Sequence, residues 1–185
     1  MNNLNIILLI ICIILIILGV LYILYRYNNE KLNTLISKID GCEKDCFEKL
    51  NRKYDMICRY IESIEDKLKI ESKTFDDIKK LKITSIKSYK HEKELNKCYL
   101  EIKQICDDKK RTKEAKNLMK QFKNYEENEL EIVALRTYYN KSILEYNNTI
   151  KKAPISILAN FKKLKVKTLI EGPEINNNFN NDLEV

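Results

Sequence analysis

The first hydrophobic feature of the chain is an unbroken run. Residues 6–25, IILLIICIILIILGVLYILY, are twenty consecutive uncharged positions, and at about 1.5 Å per helical residue they cover a hydrocarbon core of about 30 Å. That predicts a transmembrane helix. From Leu32 the apolar positions come in steps of three or four, at Leu32, Leu35, Ile39, Cys42, Cys46, Leu50, Tyr54, Ile57, Ile61, Ile64 and Leu68. This is the pattern of one amphipathic helix of about 43 residues, in which Gly41 is tolerated at a cost of about 1 kcal/mol. Ser72 or Thr74, followed by Asp76 and Asp77, signals the start of a second helix. That helix carries Phe75, Ile78, Ile86, Tyr89, Tyr99, Ile102 and Cys106 and ends near 107–111. A third starts near Thr112, with Ala115, Leu118, Phe122, Tyr125, Ile132, Leu135, Tyr139, Ile143, Tyr146 and Ile150 as its stripe. Pro154 opens a short fourth, ISILANF, from a first helical position.

Three long segments joined by short turns imply antiparallel neighbours. The expected class is therefore all-α: an N-terminal transmembrane helix, then an antiparallel bundle of three long helices plus a short fourth helix. A continuous heptad rod that dimerises as a coiled coil would show similar periodicity. The expected organisation is a short extracytoplasmic N-terminus at 1–5, the span at 6–25, a cytoplasmic helical bundle at 26–170, and a disordered polar tail, EGPEINNNFNNDLEV, at 171–185.

Composition supports long helices, since the 185 residues include only three glycines and two prolines and sheets and enzyme loops need these at their bends. All 34 Lys and Arg follow the apolar run, beginning at Arg26. The positive-inside rule then puts the N-terminus outside the cell membrane and the remainder in the cytoplasm. MNNLN lacks the basic n-region of a signal peptide, and Ile11 before Cys12 is too bulky for a usual lipidation site. Cytoplasmic placement keeps Cys42, Cys46, Cys58, Cys98 and Cys106 reduced.

Within the third helix, YYNKSILEYN at 138–147 repeats Tyr-Asn after seven residues. Tyr139, Ile143, Tyr146 and Ile150 share a face, with Asn140 and Asn147 one position beside it. The longer run ELEIVALRTYYNKSILEYNNTIKKAPISILANF, at 129–161, resembles the signature of the LemA family through Glu129, Arg136, Asn140, Asn147 and Pro154 in that order. YNNEKLNTLISKID at 27–40 is similar to the opening of the family's first long helix. The likeness covers residues 27–170, strongly in the last third and loosely between 72 and 125. The Gly-Phe that usually follows the short helix is replaced around Lys163 and Leu164, and the Tyr-Pro-Asp-Leu stretch common before the third helix is missing. The resemblance implies an antiparallel helical bundle on a membrane anchor with no established catalytic activity, and it names no substrate.

As chemistry, Glu129, Arg136, Asn140 and Asn147 read first as a structural polar line that bonds neighbouring helices or backbone carbonyls and fixes register. A hairpin folding about residue 72 would face Cys46 with Cys98 and bring Cys42 near Cys106, a candidate soft-metal cluster. The C-x3-C and C-x7-C spacings are not those of zinc fingers, and cysteine is commonly buried, so no metal or other cofactor is expected. His91, the only histidine, has neither nucleophile nor fixed carboxylate partner in the sequence. No Gly-rich phosphate loop, G-x-S-x-G or H-E-x-x-H occurs, which argues against an enzyme.

Two basic stretches stand out, 109–116 and 151–167. In the hairpin geometry Lys109, Lys110, Arg111, Lys113 and Lys116 lie beside the inner leaflet, facing anionic lipid headgroups, and 151–167 lies about 60 Å away. The functional expectation is a non-enzymatic scaffold or protein-interaction module on the cytoplasmic face, with an unidentified protein partner or a second copy of itself. A ligand or metal sensor using the bundle interior is the alternative. Nucleic acid is not an expected partner, because most aromatics fall on core stripes.

Overall fold

A computed structural model of the chain describes residues 3–86 and 89–172. It is all-α, with no strand among the described residues. Helix α1, Asn3–Ser63, contains the apolar run and the first amphipathic segment without a break, passing through Gly41, and closes in a π-helical turn at Ile64–Leu68. Lys69, in the left-handed region at φ 55°, ends it. Then follow α2 (Lys73–Lys79), α3 (Lys90–Asp108), α4 (Lys113–Lys151) and α5 (Ile155–Phe161). Pro154 caps α5, one position outside the expected start. The expected polar tail lies outside the described residues except for Glu171 and Gly172.

The chain divides into two compact units. The first comprises residues up to Ile39 together with Ser142–Thr168, and the second Asp40–Lys141 together with the chain from Leu169. In the first unit Leu32, Leu35, Ile39, Ile143, Tyr146, Ile150, Ile155, Leu158 and Ala159 are buried. The apolar residues of the run from Ile6 are exposed instead.

In the second unit α4 is antiparallel to α1: Tyr60 Oη donates to Gln121 O (3.0 Å), Asn128 Nδ2 to Lys49 O (3.1 Å), and Cys42 Sγ to Leu135 O (3.2 Å). It is antiparallel to α3 as well, since Arg136 meets Glu92 and Phe122 meets Tyr99. The bundle is thus the expected class, with one difference in its second segment. Helix α3 runs parallel to α1, and the return leg is made by α2 and the non-helical residues after it. Ser72 supplies the start, its hydroxyl accepting from Thr74 N–H (3.2 Å), and Phe75 and Ile78 are buried. Beyond Lys80 the sequence LKITSI alternates, with Leu81, Ile83 and Ser85 half-buried and Lys82 and Thr84 exposed. That two-residue period, rich in β-branched side chains, suits an extended segment better than a helix.

Candidate functional site

The three long helices share one heptad logic in the second unit. On α4 the steps of four and three run Leu118, Phe122, Tyr125, Glu129, Ile132, Arg136, Tyr139, so Glu129 and Arg136 occupy seam positions. On α1 the series Cys46, Leu50, Lys53, Ile57, Tyr60, Ile64 places Lys53 on the seam, and on α3 the series Glu92, Leu95, Tyr99, Ile102, Cys106 does the same for Glu92. Lys53 is 0 %, Arg136 1 % and Glu92 5 % exposed. Neither Lys53 nor Glu92 was expected in the site. A charge on an a/d-type slot is the signal that marks both.

The four groups alternate in sign. Arg136 Nη2 donates to Glu92 Oε2 at 2.5 Å, the second carboxylate oxygen of Glu92 lies 4.0 Å from Lys53 Nζ, and Lys53 Nζ donates to Glu129 Oε2. Two cations and two anions leave no net charge in the seam. Aromatic rings line the chain of charges: Lys53 Nζ stands 5.5 Å from the centroid of Tyr125, and the Arg136 guanidinium 5.5 Å from that of Tyr89. Tyr125 stacks on Tyr99 at 3.9 Å and donates to Asn96 Oδ1 at 3.1 Å. Burial dominates the titration of both inner groups, raising the Glu92 carboxyl above its ordinary value against the pull of Arg136 and Lys53, and lowering the Lys53 ammonium against Glu129.

The two asparagines do a different job. In the second unit Asn140 Nδ2 donates to Ile170 O (3.1 Å) while Ile170 N–H donates to Asn140 Oδ1 (2.9 Å). In the first unit Asn147 makes the same reciprocal pair with Lys167, at 2.8 and 2.9 Å, and Tyr146 Oη donates to Lys165 O at 3.2 Å. Each amide imitates a strand partner for the non-helical segment that follows α5. A heptad of α4 rises about 10.5 Å, and three residues reach that far only when nearly extended. The repeat of Tyr-Asn after seven residues therefore matches partners three residues apart.

The cysteines are not brought together as the hairpin would have them. Cys42 is bonded to the main chain of α4, and among the described residues no group of three or more His, Cys, Asp or Glu side chains could hold a metal ion. Burial pushes the thiol of Cys46 up to about 11, that of Cys98 to about 12 and that of Cys106 to about 11. With so little thiolate, the folded chain should resist iodoacetamide at pH 8 at Cys42, Cys46, Cys98 and Cys106, and react at all four in denaturant. Peptide mass mapping checks this, and rapid alkylation of Cys46 or Cys98 in the native chain would contradict the packing described. His91 Nδ1 lies 3.7 Å from Glu94 Oε2.

The basic stretches also change place. Because α3 parallels α1, the turn Lys109–Thr112 belongs at the C-terminal end of α1, where Gln121 meets Tyr60. Within the second unit Lys109, Lys110, Arg111, Lys113 and Lys116 therefore do not return to the Asp40 end of α1, as the hairpin would have them. Conversely, Lys162 Nζ donates to Asn29 Oδ1 in the first unit, so the second stretch adjoins the end of the apolar run rather than standing far from it.

Fold and site together define an all-α protein in which a charged seam and a pair of heptad-spaced asparagines organise three helices and one extended segment. The chain belongs to the LemA family, whose model matches residues 43–181. Comparison with curated proteins and with solved structures gives no match.

Proposed function

We propose that the chain is a single-pass membrane protein, N-terminus outside, whose cytoplasmic helical part is a non-enzymatic scaffold or protein-interaction module. One observation carries the reading: Glu129, Arg136, Asn140 and Asn147, the polar residues of the family signature, all bond to the chain's own side chains and main chain. Polar groups engaged in this way specify packing. The anchor is supported by a helix window of mean hydropathy 3.6, none of it buried inside the structure, and by the absence of Lys and Arg before Arg26. A surface suited to a protein partner lies on α3 and α4, where exposed Leu100 and Leu130 flank Tyr99 and Tyr125 in an open groove of about 480 Å³.

Two measurements test the reading. Cys42 and Cys98 are buried and report topology poorly, whereas Ser37 is exposed; Ser37→Cys should react with an impermeant maleimide only after the membrane is permeabilised. Labelling in intact cells would refute the orientation. Co-purification after cross-linking should recover a protein partner that Leu100→Glu with Leu130→Glu loses, with the melting temperature unchanged. Stoichiometric metal in the purified full chain would instead favour the sensor reading.

A further inference from the structure

The first unit contains nine of the chain's 34 basic residues, Arg26, Lys31, Lys38, Lys151, Lys152, Lys162, Lys163, Lys165 and Lys167, but only two of its 27 acidic ones, Glu30 and Glu145. The second is left with 25 of each, so the whole formal excess of +7 resides in the first. Such a concentration is not explained by packing, since Lys151, Lys152, Lys162, Lys163 and Lys165 are all exposed.

The same unit also displays apolar side chains that its core does not use. Helix α5 turns Ile155, Leu158 and Ala159 inward, yet Ile157 is 72 % and Phe161 87 % exposed. These two are four residues apart and share a face. Val166, 57 % exposed, follows them. The hydrogen bond from Lys162 to Asn29 sets the end of α5 four residues past Tyr25, the last position of the apolar run. Four helical residues rise about 6 Å, which is about the depth of one polar headgroup layer. Exposed Tyr22, Tyr25 and Tyr27 stand at that end of the run, where tyrosines anchor a helix at the membrane interface.

We infer that α5 and the lysines around it form a docking surface for an anionic lipid bilayer, the one that the apolar run of α1 enters. Phe161 and Ile157 sit among the upper acyl chains, and Lys151, Lys152, Lys162, Lys163 and Lys165 meet the phosphates and carboxylates of the headgroups. A soluble acidic protein would satisfy the lysines, but it would have to compete with a leaflet already within a Debye length of about 8 Å. The inference rests on the membrane-anchor reading above.

The chain has no tryptophan, so Phe161→Trp creates a single reporter in the full-length protein. It is reconstituted into vesicles of phosphatidylcholine with or without phosphatidylserine, the acyl chains brominated near the headgroup. The expected result is blue-shifted emission with several-fold quenching on the anionic vesicles, weak quenching on the neutral ones, and loss of the difference in high salt or on adding Lys162→Gln, Lys163→Gln and Lys165→Gln. Circular dichroism confirms that each variant folds. Absence of quenching on both vesicles overturns the inference. So does equal quenching on both, which would mean apolar contact without recognition of charge. A blue shift without quenching would mean that a second copy or another protein covers Phe161, and likewise overturns it. Extraction by alkaline carbonate is measured on the same samples: release of the chain defeats the anchor reading alone, and quenching still decides whether this surface meets anionic lipid.

Discussion

Replacing Arg136 by leucine should lower the stability of the full chain by about 3–5 kcal/mol, the cost of leaving a buried carboxylate without its partner. Glu92 loses the donor at 2.5 Å and keeps only Lys53 at 4.0 Å, and Lys53 is already engaged by Glu129. Glu92→Leu alone should also destabilise the chain, by removing the carboxylate that Arg136 bonds at 2.5 Å and leaving the buried seam with a net positive charge. The double variant Arg136→Leu, Glu92→Leu leaves Lys53 with Glu129 as a neutral remainder and should recover most of the loss, because apolar replacements of a buried pair are often neutral or stabilising. Denaturant unfolding of the detergent-solubilised protein, followed by helical circular dichroism, measures the cycle. If both single variants fall within about 0.5 kcal/mol of the parent, as surface substitutions do, the charged seam does not hold the bundle.

That four-residue seam shows where sequence reading succeeds and where it stops. Glu129 and Arg136 were found because they recur in a recognisable signature; Lys53 and Glu92 stand among many lysines and glutamates, and only their places in the series 46, 50, 53, 57 and 92, 95, 99, 102 set them apart. The apolar run, the extent of α4 and the helix after Pro154 were legible because a long period or a cap specifies each locally. The direction of α3 was not. It depends on whether LKITSI at 81–86 continues a helix or extends, and those six residues contain too few turns for a helical period to be distinguished from alternation. Once the segment extends, the second helix reverses, the cysteine pairing dissolves, and the turn at 109–112 moves to the C-terminal end of α1. The segment after α5 was not legible for another reason: Lys163-Leu164-Lys165-Val166-Lys167 alternates, but its partners are side-chain amides of α4 rather than a neighbouring strand, so alternation alone does not say what it pairs with.

Those amides carry the second large effect. Asn140 and Ile170 are each 2 % exposed, so Asn140→Ala leaves a buried N–H and a buried C=O of Ile170 with no solvent to replace the lost pair. At about 1–3 kcal/mol for each unsatisfied group, the variant should lose about 2–6 kcal/mol unless the segment peels away first. Peeling has its own signature: amide hydrogen exchange at Ile170 rises by orders of magnitude while α4 around Tyr139 stays protected. Asn147 is only half-buried, water can take over its bonds to Lys167, and Asn147→Ala should cost about 1 kcal/mol, the ordinary net worth of a hydrogen bond. Asn140→Asp provides a sharper probe, because it keeps the acceptor for Ile170 N–H but sets a carboxylate oxygen against Ile170 O. It should be nearly as damaging as Asn140→Ala at neutral pH and recover partly in acid, where protonation restores a donor. Unchanged exchange at Ile170 in both variants would mean that the segment is held by its side chains, and that the heptad repeat of Tyr-Asn serves something other than backbone capture.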